Sequence, residues 1–228
     1  MATILILCGG EGKRLRPLTD NIPKPMIEVA GRPMLQHQVE QFRNAGFTNF
    51  IFCTGYKHEV IEKFFGDGAK FGVKIRYSEE KEPLGTSGAI KLAAKGVKET
   101  VFVVNGDCMH DADPAKILKF HEDVKKKNPK LEATDFLVQF RSPYGIAKMN
   151  GDLIREFQEK PLLNEWLNAG IYVLEQSLMP KLPDKGAIET LIFPGLAKEG
   201  RIAGYKHTGK WRDVGTLKDL EEAQKEFK

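Results

Sequence analysis

The chain is predicted to fold as a Rossmann-like α/β protein: an open, mixed, mainly parallel sheet flanked by helices, with a small, partly antiparallel region after it. Three observations predict this. Short, nearly all-apolar runs recur at residues 4–7, 50–53 and 101–104, the pattern of parallel strands buried on both faces. Stretches with helical spacing of apolar residues lie between those runs. The later half changes to shorter strands joined by turns, as in antiparallel pairing.

In chain order, the first strand at 4–7 gives way to a helix whose stripe is Leu35, Val39, Phe42 and Ala45, beginning after Pro33. A strand at 50–53 precedes a second stripe of Val60, Ile61, Phe64 and Phe65 that stops at Gly66. A third helix is expected over 87–95, then the strand at 101–104. Alternation of this kind makes right-handed crossovers, and ligands of such sheets sit beyond the carboxyl ends of the strands. From residue 112, Asp113 before Pro114 is a ready cap for a helix carrying Ile117, Leu118, His121 and Val124. A polar loop is expected at 125–130. Strands follow at 136–140, 146–149, 153–157 and 169–174, with Asn150-Gly151 as a hairpin turn. Thr216 is placed to cap a last helix, with Asp219 three residues on and Leu217, Leu220, Ala223 and Phe227 facing inward.

A chain of 228 residues with 41% hydrophobic content can bury one large core without staples. The net charge of +4 is small and dispersed, which argues against nucleic acid as a partner. The early apolar run ends at Gly9, too short for a membrane span or a signal core. Cys8, Cys53 and Cys108 form no CxxC pair, so neither zinc nor a disulfide framework is indicated. A cytoplasmic protein without membrane partners is expected. The plainer reading of the cysteines is small buried hydrophobes, although Cys8 and Cys108 adjoin the candidate site, so sensitivity to thiol reagents is compatible with their position.

Positive charge concentrates where the first strand ends. Lys13, Arg14, Arg16 and Lys24 surround Gly9, Gly10 and Gly12, and glycines there let backbone amides approach phosphate oxygens. The spacing excludes two familiar phosphate loops. Position 15 is Leu15 rather than the third glycine of a dinucleotide fingerprint, and Leu7 and Arg14 stand where a Walker loop needs Gly and Ser or Thr.

The whole string GGEGKRLRPLTDNIPKP at 9–25 resembles the signature of the nucleotide-sugar pyrophosphorylases, or sugar-1-phosphate nucleotidyltransferases, GGxGxRLxPLTxxxPKP, at every specified position. The resemblance runs through the chain in order and implies the nucleotide-diphospho-sugar transferase fold. It makes 1–228 a single domain, with a nucleotide-binding half at 1–111 and a sugar-phosphate-binding half at 112–228. By this resemblance Leu7, Gly9, Gly10, Gly12 and Lys13 wrap the nucleotide, while Arg14 and Lys24 bind and polarise its phosphates. Asn105-Gly106-Asp107 is similar to the family's GD metal motif and Trp211-Arg212-Asp213-Val214-Gly215-Thr216 to its WxDxGT motif. Asp107 and Asp213 would then hold Mg2+, an ion that suits a few carboxylates, phosphate oxygens and water. Asp111 and Asp113 are weaker candidates as ligands. Tyr144-Gly145, Glu159-Lys160-Pro161 and Asn168-Ala169-Gly170 match the YG, EKP and NxG motifs. They imply a sugar-phosphate site made of Gly145, Glu159, Lys160, Asn168 and Gly170.

The segment EPLGTSG at 82–88 is similar to the branches acting with GTP on mannose 1-phosphate or heptose 1-phosphate, and so assigns Glu82, Gly85, Thr86 and Gly88 to the nucleotide. Guanine offers two donors on one edge, which a carboxylate such as Glu82 can accept, whereas uracil offers one. Tyr56 belongs near that pocket by the same resemblance, or simply packs. The expected reaction joins a nucleoside triphosphate, GTP first, to a sugar 1-phosphate and releases pyrophosphate. Uridylyl or thymidylyl transfer to a glucose or N-acetylmuramate type of substrate is the alternative, as is a nucleotide-sugar sensor without catalysis. Relatives often carry Ala in place of Cys8 and a left-handed β-helix beyond the last helix, which is not expected here; self-association is left open.

Overall fold

The computed structural model describes residues 2–228. In chain order the first half contains β1 (Thr3–Leu7), the short pair β2 (Glu28–Val29) and β3 (Arg32–Pro33), α1 (Met34–Asn44), β4 (Asn49–Thr54), α2 (His58–Phe65), β5 (Lys74–Glu79), α3 (Gly85–Ala93), β6 (Val101–Asn105) and β7 (Cys108–His110). The second half contains α4 (Pro114–Lys127), β8 (Ala133–Arg141), β9 (Ile146–Asn150), β10 (Leu153–Gln158), β11 (Leu162–Leu174), α5 (Ile188–Leu191), α6 (Phe193–Lys198), β12 (Ile202–His207), β13 (Trp211–Asp213) and α7 (Leu217–Glu226).

Seven strands form one sheet in the order β12-β8-β11-β6-β1-β4-β5, and β11 alone runs against the others. Alternation along β1 explains the layers. Ile4 and Ile6 pack with Leu35, Val39 and Phe42 of α1, Ile61 and Phe65 of α2 and Ile117 of α4; Leu5 packs on the opposite face with Ala89 and Ile90 of α3, Ile188 of α5 and Phe193 of α6. Phe42, Phe47 and Phe102 meet edge to face at 5.2–5.8 Å, a geometry that adds to their burial. A third cluster, with Leu15, Ile27, Met34, Met109, Val214 and Ala223, fastens α7 beneath the glycine-rich loop.

The chain leaves β1 for β4 and β5 on one side, then returns to β6 on the other. Leu7 and Asn105 are paired at the carboxyl ends of β1 and β6, so the reversal of strand order opens a crevice beyond them. This is the expected place for a ligand.

Several expectations are refined. The second half lends β8, β11 and β12 to the main sheet, and its independent antiparallel part reduces to the β9–β10 hairpin. The edge strands β5 and β12 escape a search for apolar runs because Lys74, Arg76, Lys206 and His207 interrupt them, as edges tolerate. The expected loop at 125–130 is half helix: Lys125, Lys126 and Lys127 form the last turn of α4, where cations complement the helix dipole. Leu217 is 48% exposed rather than inward, since α7 packs through Leu220 and Ala223. The caps are as expected, with Asp113 accepting from the Ala115 amide at 2.9 Å and Thr216 from the Asp219 amide at 3.2 Å.

Candidate functional site

The glycine-rich segment folds over the end of β1 as three short 3-10 turns, Lys13–Leu15, Leu18–Asp20 and Lys24–Met26. Tyr56 anchors it: its hydroxyl donates to the Thr19 carbonyl at 2.9 Å and its amide to the Gly9 carbonyl at 3.2 Å. Tyr56 thus supports the loop and lines neither cavity described below. Gly106 explains the close meeting of β1 and β6 here. Its amide donates to the Leu7 carbonyl at 3.0 Å, and a Cβ at that position would stand 2.7 Å from the same oxygen.

Pairing of β13 with β7 sets Asp213 opposite Cys108, and the Val214 amide donates to the Asp107 carbonyl at 3.0 Å. Two aspartates distant in sequence therefore face one point. Lys24, nearly buried, occupies it: Nζ donates to Asp107 Oδ2 at 2.5 Å and to Asp213 Oδ1 at 3.4 Å. Burial and then the Asp107 charge raise the Asp213 carboxyl above its ordinary value, and Lys24 opposes that rise. Arg14 lies against Gly215, its Nη2 3.2 Å from where a Cβ would be. Among the described residues no cluster of three or more His, Cys, Asp or Glu side chains could hold a metal. Two carboxylates facing one point are a donor pair that fits a hard divalent cation completed by other oxygen ligands and water.

Two cavities share Gly10. One, of about 280 Å3, is cationic and lined by Gly12, Lys13, Arg14, Lys24, Asp107 and Gly215. The other, of about 270 Å3, is mainly apolar and lined by Leu7, Gly9, Glu80, Pro83, Gly85, Thr86 and Ala89. A flat apolar group with an anionic tail would fit across both. Glu80 supplies the acid of the apolar cavity: Oε2 accepts from the Leu84 amide at 3.0 Å, Oε1 lies beside Gly9, and burial raises its pKa. Glu82 does not reach this cavity; it is exposed and paired with Lys185 at 3.2 Å. The motif drew attention to Glu82, while the signal for Glu80 was positional, one residue beyond the carboxyl end of β5.

Gly85, which lines the apolar cavity, and Gly88 both allow close backbone packing. Gly85 has φ +70° and a Cβ there would lie 2.6 Å from the Gly186 carbonyl, while one on Gly88 would strike the Asp184 carbonyl. On the sugar side, Gly145 backs onto Glu159, whose Oε2 is 2.9 Å from its Cβ position. Lys160 takes φ +48°, with its carbonyl accepting from Arg141 at 3.0 Å. Asn168 Oδ1 accepts from the Gly170 amide at 2.7 Å, and Gly170 abuts Asn105 at the end of β6. The structure joins Gly145 to Glu159, and Asn168 and Gly170 to the end of β6, as two groups. Asp111 is committed elsewhere, accepting from His207 at 2.8 Å and from the Lys210 amide at 2.9 Å. All three cysteines are buried, and burial pushes each thiol well up, so adjacency to the site does not make them reactive.

Residues 3–228 match the family model described as Nucleotidyl transferase. The chain is 36% identical to the mannose-1-phosphate guanylyltransferase of Mycobacterium tuberculosis and 39% identical to the mannose-1-phosphate guanyltransferase of Pichia angusta, with 95% of this chain aligned in each case. It spans about three-fifths of the length of these curated relatives, 62% and 61%. The crystal structure of HddC from Yersinia pseudotuberculosis complexed with GMP-PN superposes with a TM-score of 0.77 at 26% identity, covering 100% of both chains.

Proposed function

The chain belongs to the nucleotidyl transferase family, and from that premise we propose that it transfers a nucleotidyl group from GTP to a sugar 1-phosphate of mannose or heptose type, releasing pyrophosphate. The observation that carries this reading is the union at Gly10 of an apolar cavity holding Glu80 with a cationic cavity holding Arg14, Lys24 and Asp107. The guanine base lies in the first, with Glu80 in place of Glu82 as acceptor for its N1-H and N2-H donors. The names of the relatives support guanine and mannose.

The reaction is an in-line displacement in which an oxygen of the sugar phosphate attacks the α-phosphorus and pyrophosphate departs. No side-chain nucleophile is needed. Arg14 and Lys24 hold and neutralise the triphosphate, and aligning two polyanions removes much of the entropic barrier. Glu159 accepts from sugar hydroxyls, Asn168 and the Gly145 and Gly170 backbone shape the sugar site, and Lys160 holds the attacking phosphate. Asp107 and Asp213 hold Mg2+, which when bound offsets the charge of the phosphates. Nucleoside triphosphate and sugar 1-phosphate are then the only partners the reading needs. No helix among the described residues is long and apolar enough to cross a membrane.

The test is pyrophosphate release from GTP, UTP, dTTP, CTP and ATP, each with mannose, glucose, N-acetylhexosamine and heptose 1-phosphates. GTP with mannose or heptose 1-phosphate is expected to be fastest. Preference for UTP or dTTP overturns guanine, and silence with every pair overturns the enzyme in favour of a sensor.

A further inference from the structure

Three elements, α3, α5 and β11, meet at one carboxylate between the two halves of the crevice. Glu189, in the first turn of α5, accepts from Thr86 Oγ1 at 2.8 Å through Oε2 and from the Tyr172 hydroxyl at 2.9 Å through Oε1. The first donor lines the apolar cavity. The second is fully buried in β11 and also lies 3.1 Å from Asn168 Oδ1. Asn168 Oδ1 in turn takes the Gly170 amide at 2.7 Å, and Gly170 presses on Asn105, two residues before Asp107.

The surroundings of Glu189 are rigid. Thr86 Oγ1 also accepts from the Ile188 amide at 2.9 Å, so one hydroxyl ties the start of α3 to the start of α5. Backbone bonds sew the same elements together, from Ser87 to Gly186 at 2.9 Å and from Gly186 to Leu84 at 2.8 Å. Behind Tyr172, its cross-strand partner Asp135 has a buried Oδ1 with no hydrogen-bond partner. The polar cluster thus has several acceptors and few protons, and its geometry depends on the Tyr172 proton being directed.

We propose that Glu189 is a positioning residue that ties the base pocket to the sugar pocket, holding the Tyr172 hydroxyl in place beside Asn168 through one oxygen and Thr86 through the other. The inference rests on the nucleotidyltransfer reading and extends it to a residue that touches neither substrate. With Oδ1 of Asn168 committed to the Gly170 amide at 2.7 Å, its Nδ2 is the end left for the sugar. Asn168 therefore recognises an acceptor oxygen on that sugar rather than a donor.

The experiment is titration calorimetry of the full chain with GTP and, separately, mannose 1-phosphate, both with Mg2+, on wild type and on Glu189→Ala, Glu189→Gln, Tyr172→Phe and Thr86→Val. Glu189→Ala is expected to raise Kd for both ligands by about tenfold, the factor expected of losing one oriented polar contact. Tyr172→Phe should weaken only mannose 1-phosphate and Thr86→Val only GTP. Glu189→Gln keeps one acceptor oxygen for two donors, so it should restore one of the two constants to within about threefold of wild type and leave the other raised. Far-UV circular dichroism checks that each variant is folded, and Tyr172→Phe keeps the test open if Glu189→Ala is not. Unchanged mannose 1-phosphate affinity in a folded Glu189→Ala or Tyr172→Phe variant overturns the inference. Wild type that binds both ligands without releasing pyrophosphate overturns the enzymatic reading alone, and wild type that binds neither overturns both.

Discussion

Lys24 donates to Asp107 at 2.5 Å and to Asp213 at 3.4 Å, closing with one ammonium group a triangle whose other corners lie 83 and 189 residues along the chain. The arrangement balances two carboxylates that would otherwise repel across a partly buried space. It also places a cation where phosphate and metal are expected, so the contact is one that substrate binding must rearrange.

Replacing that cation tests the arrangement directly. Lys24→Met is expected to lower kcat by about 10²–10³, the range for losing one preorganised charge at a reacting phosphate. Steady-state pyrophosphate release measures it. The variant also leaves Asp107 and Asp213 without their partner, so added Mg2+ should raise its Tm more than that of wild type.

The two neighbouring glutamates make opposite predictions. Glu80→Gln exchanges a carboxylate that can accept twice for an amide that accepts once, and KM for GTP should rise by about tenfold. Glu82→Gln loses only an exposed ion pair with Lys185, and KM should stay within about twofold. Equal effects would remove Glu80 from the base site.

Asp135 predicts a pH dependence of stability. Burial and then the charge of Glu189 push its carboxyl up from 3.8 to about 7. The folded chain therefore holds this proton where the unfolded chain has lost it, so its contribution to stability declines as pH rises from 3.8 to about 7 and is gone above that window. Asp135→Asn should raise Tm by at least about 3 °C at pH 8 and match wild type near pH 4, as read by thermal melts.

The cysteines predict a negative result with a positive control. Cys8, Cys53 and Cys108 are 1%, 0% and 2% exposed, and their thiols are held protonated. A chromogenic disulfide reagent should titrate none of them within minutes in the native protein and all three in denaturant. Rapid native modification would mean that the end of β1 opens readily.

Much of the sheet was legible because its central strands are apolar on both faces: residues 4–7, 50–53 and 101–104 all fall in adjacent strands β1, β4 and β6. Edge strands carry charges and were not legible by that signal. The antiparallel place of β11 between β6 and β8 depends on long-range pairing, for which local pattern holds no information.

By itself the sequence pointed to the cationic side of the site, since the order of glycines, cations and prolines from residue 9 to 25 is a local pattern. It likewise pointed to Asp107 and Asp213 as members of one site. Tertiary structure decided what could meet across the chain. Strand β13 pairing with β7 brings those aspartates onto Lys24, the end of β5 puts Glu80 rather than Glu82 in the apolar cavity, and α5 brings Glu189 between Thr86 and Tyr172. Each is a matter of register and direction over tens of residues, set by the burial of whole faces rather than by any one motif.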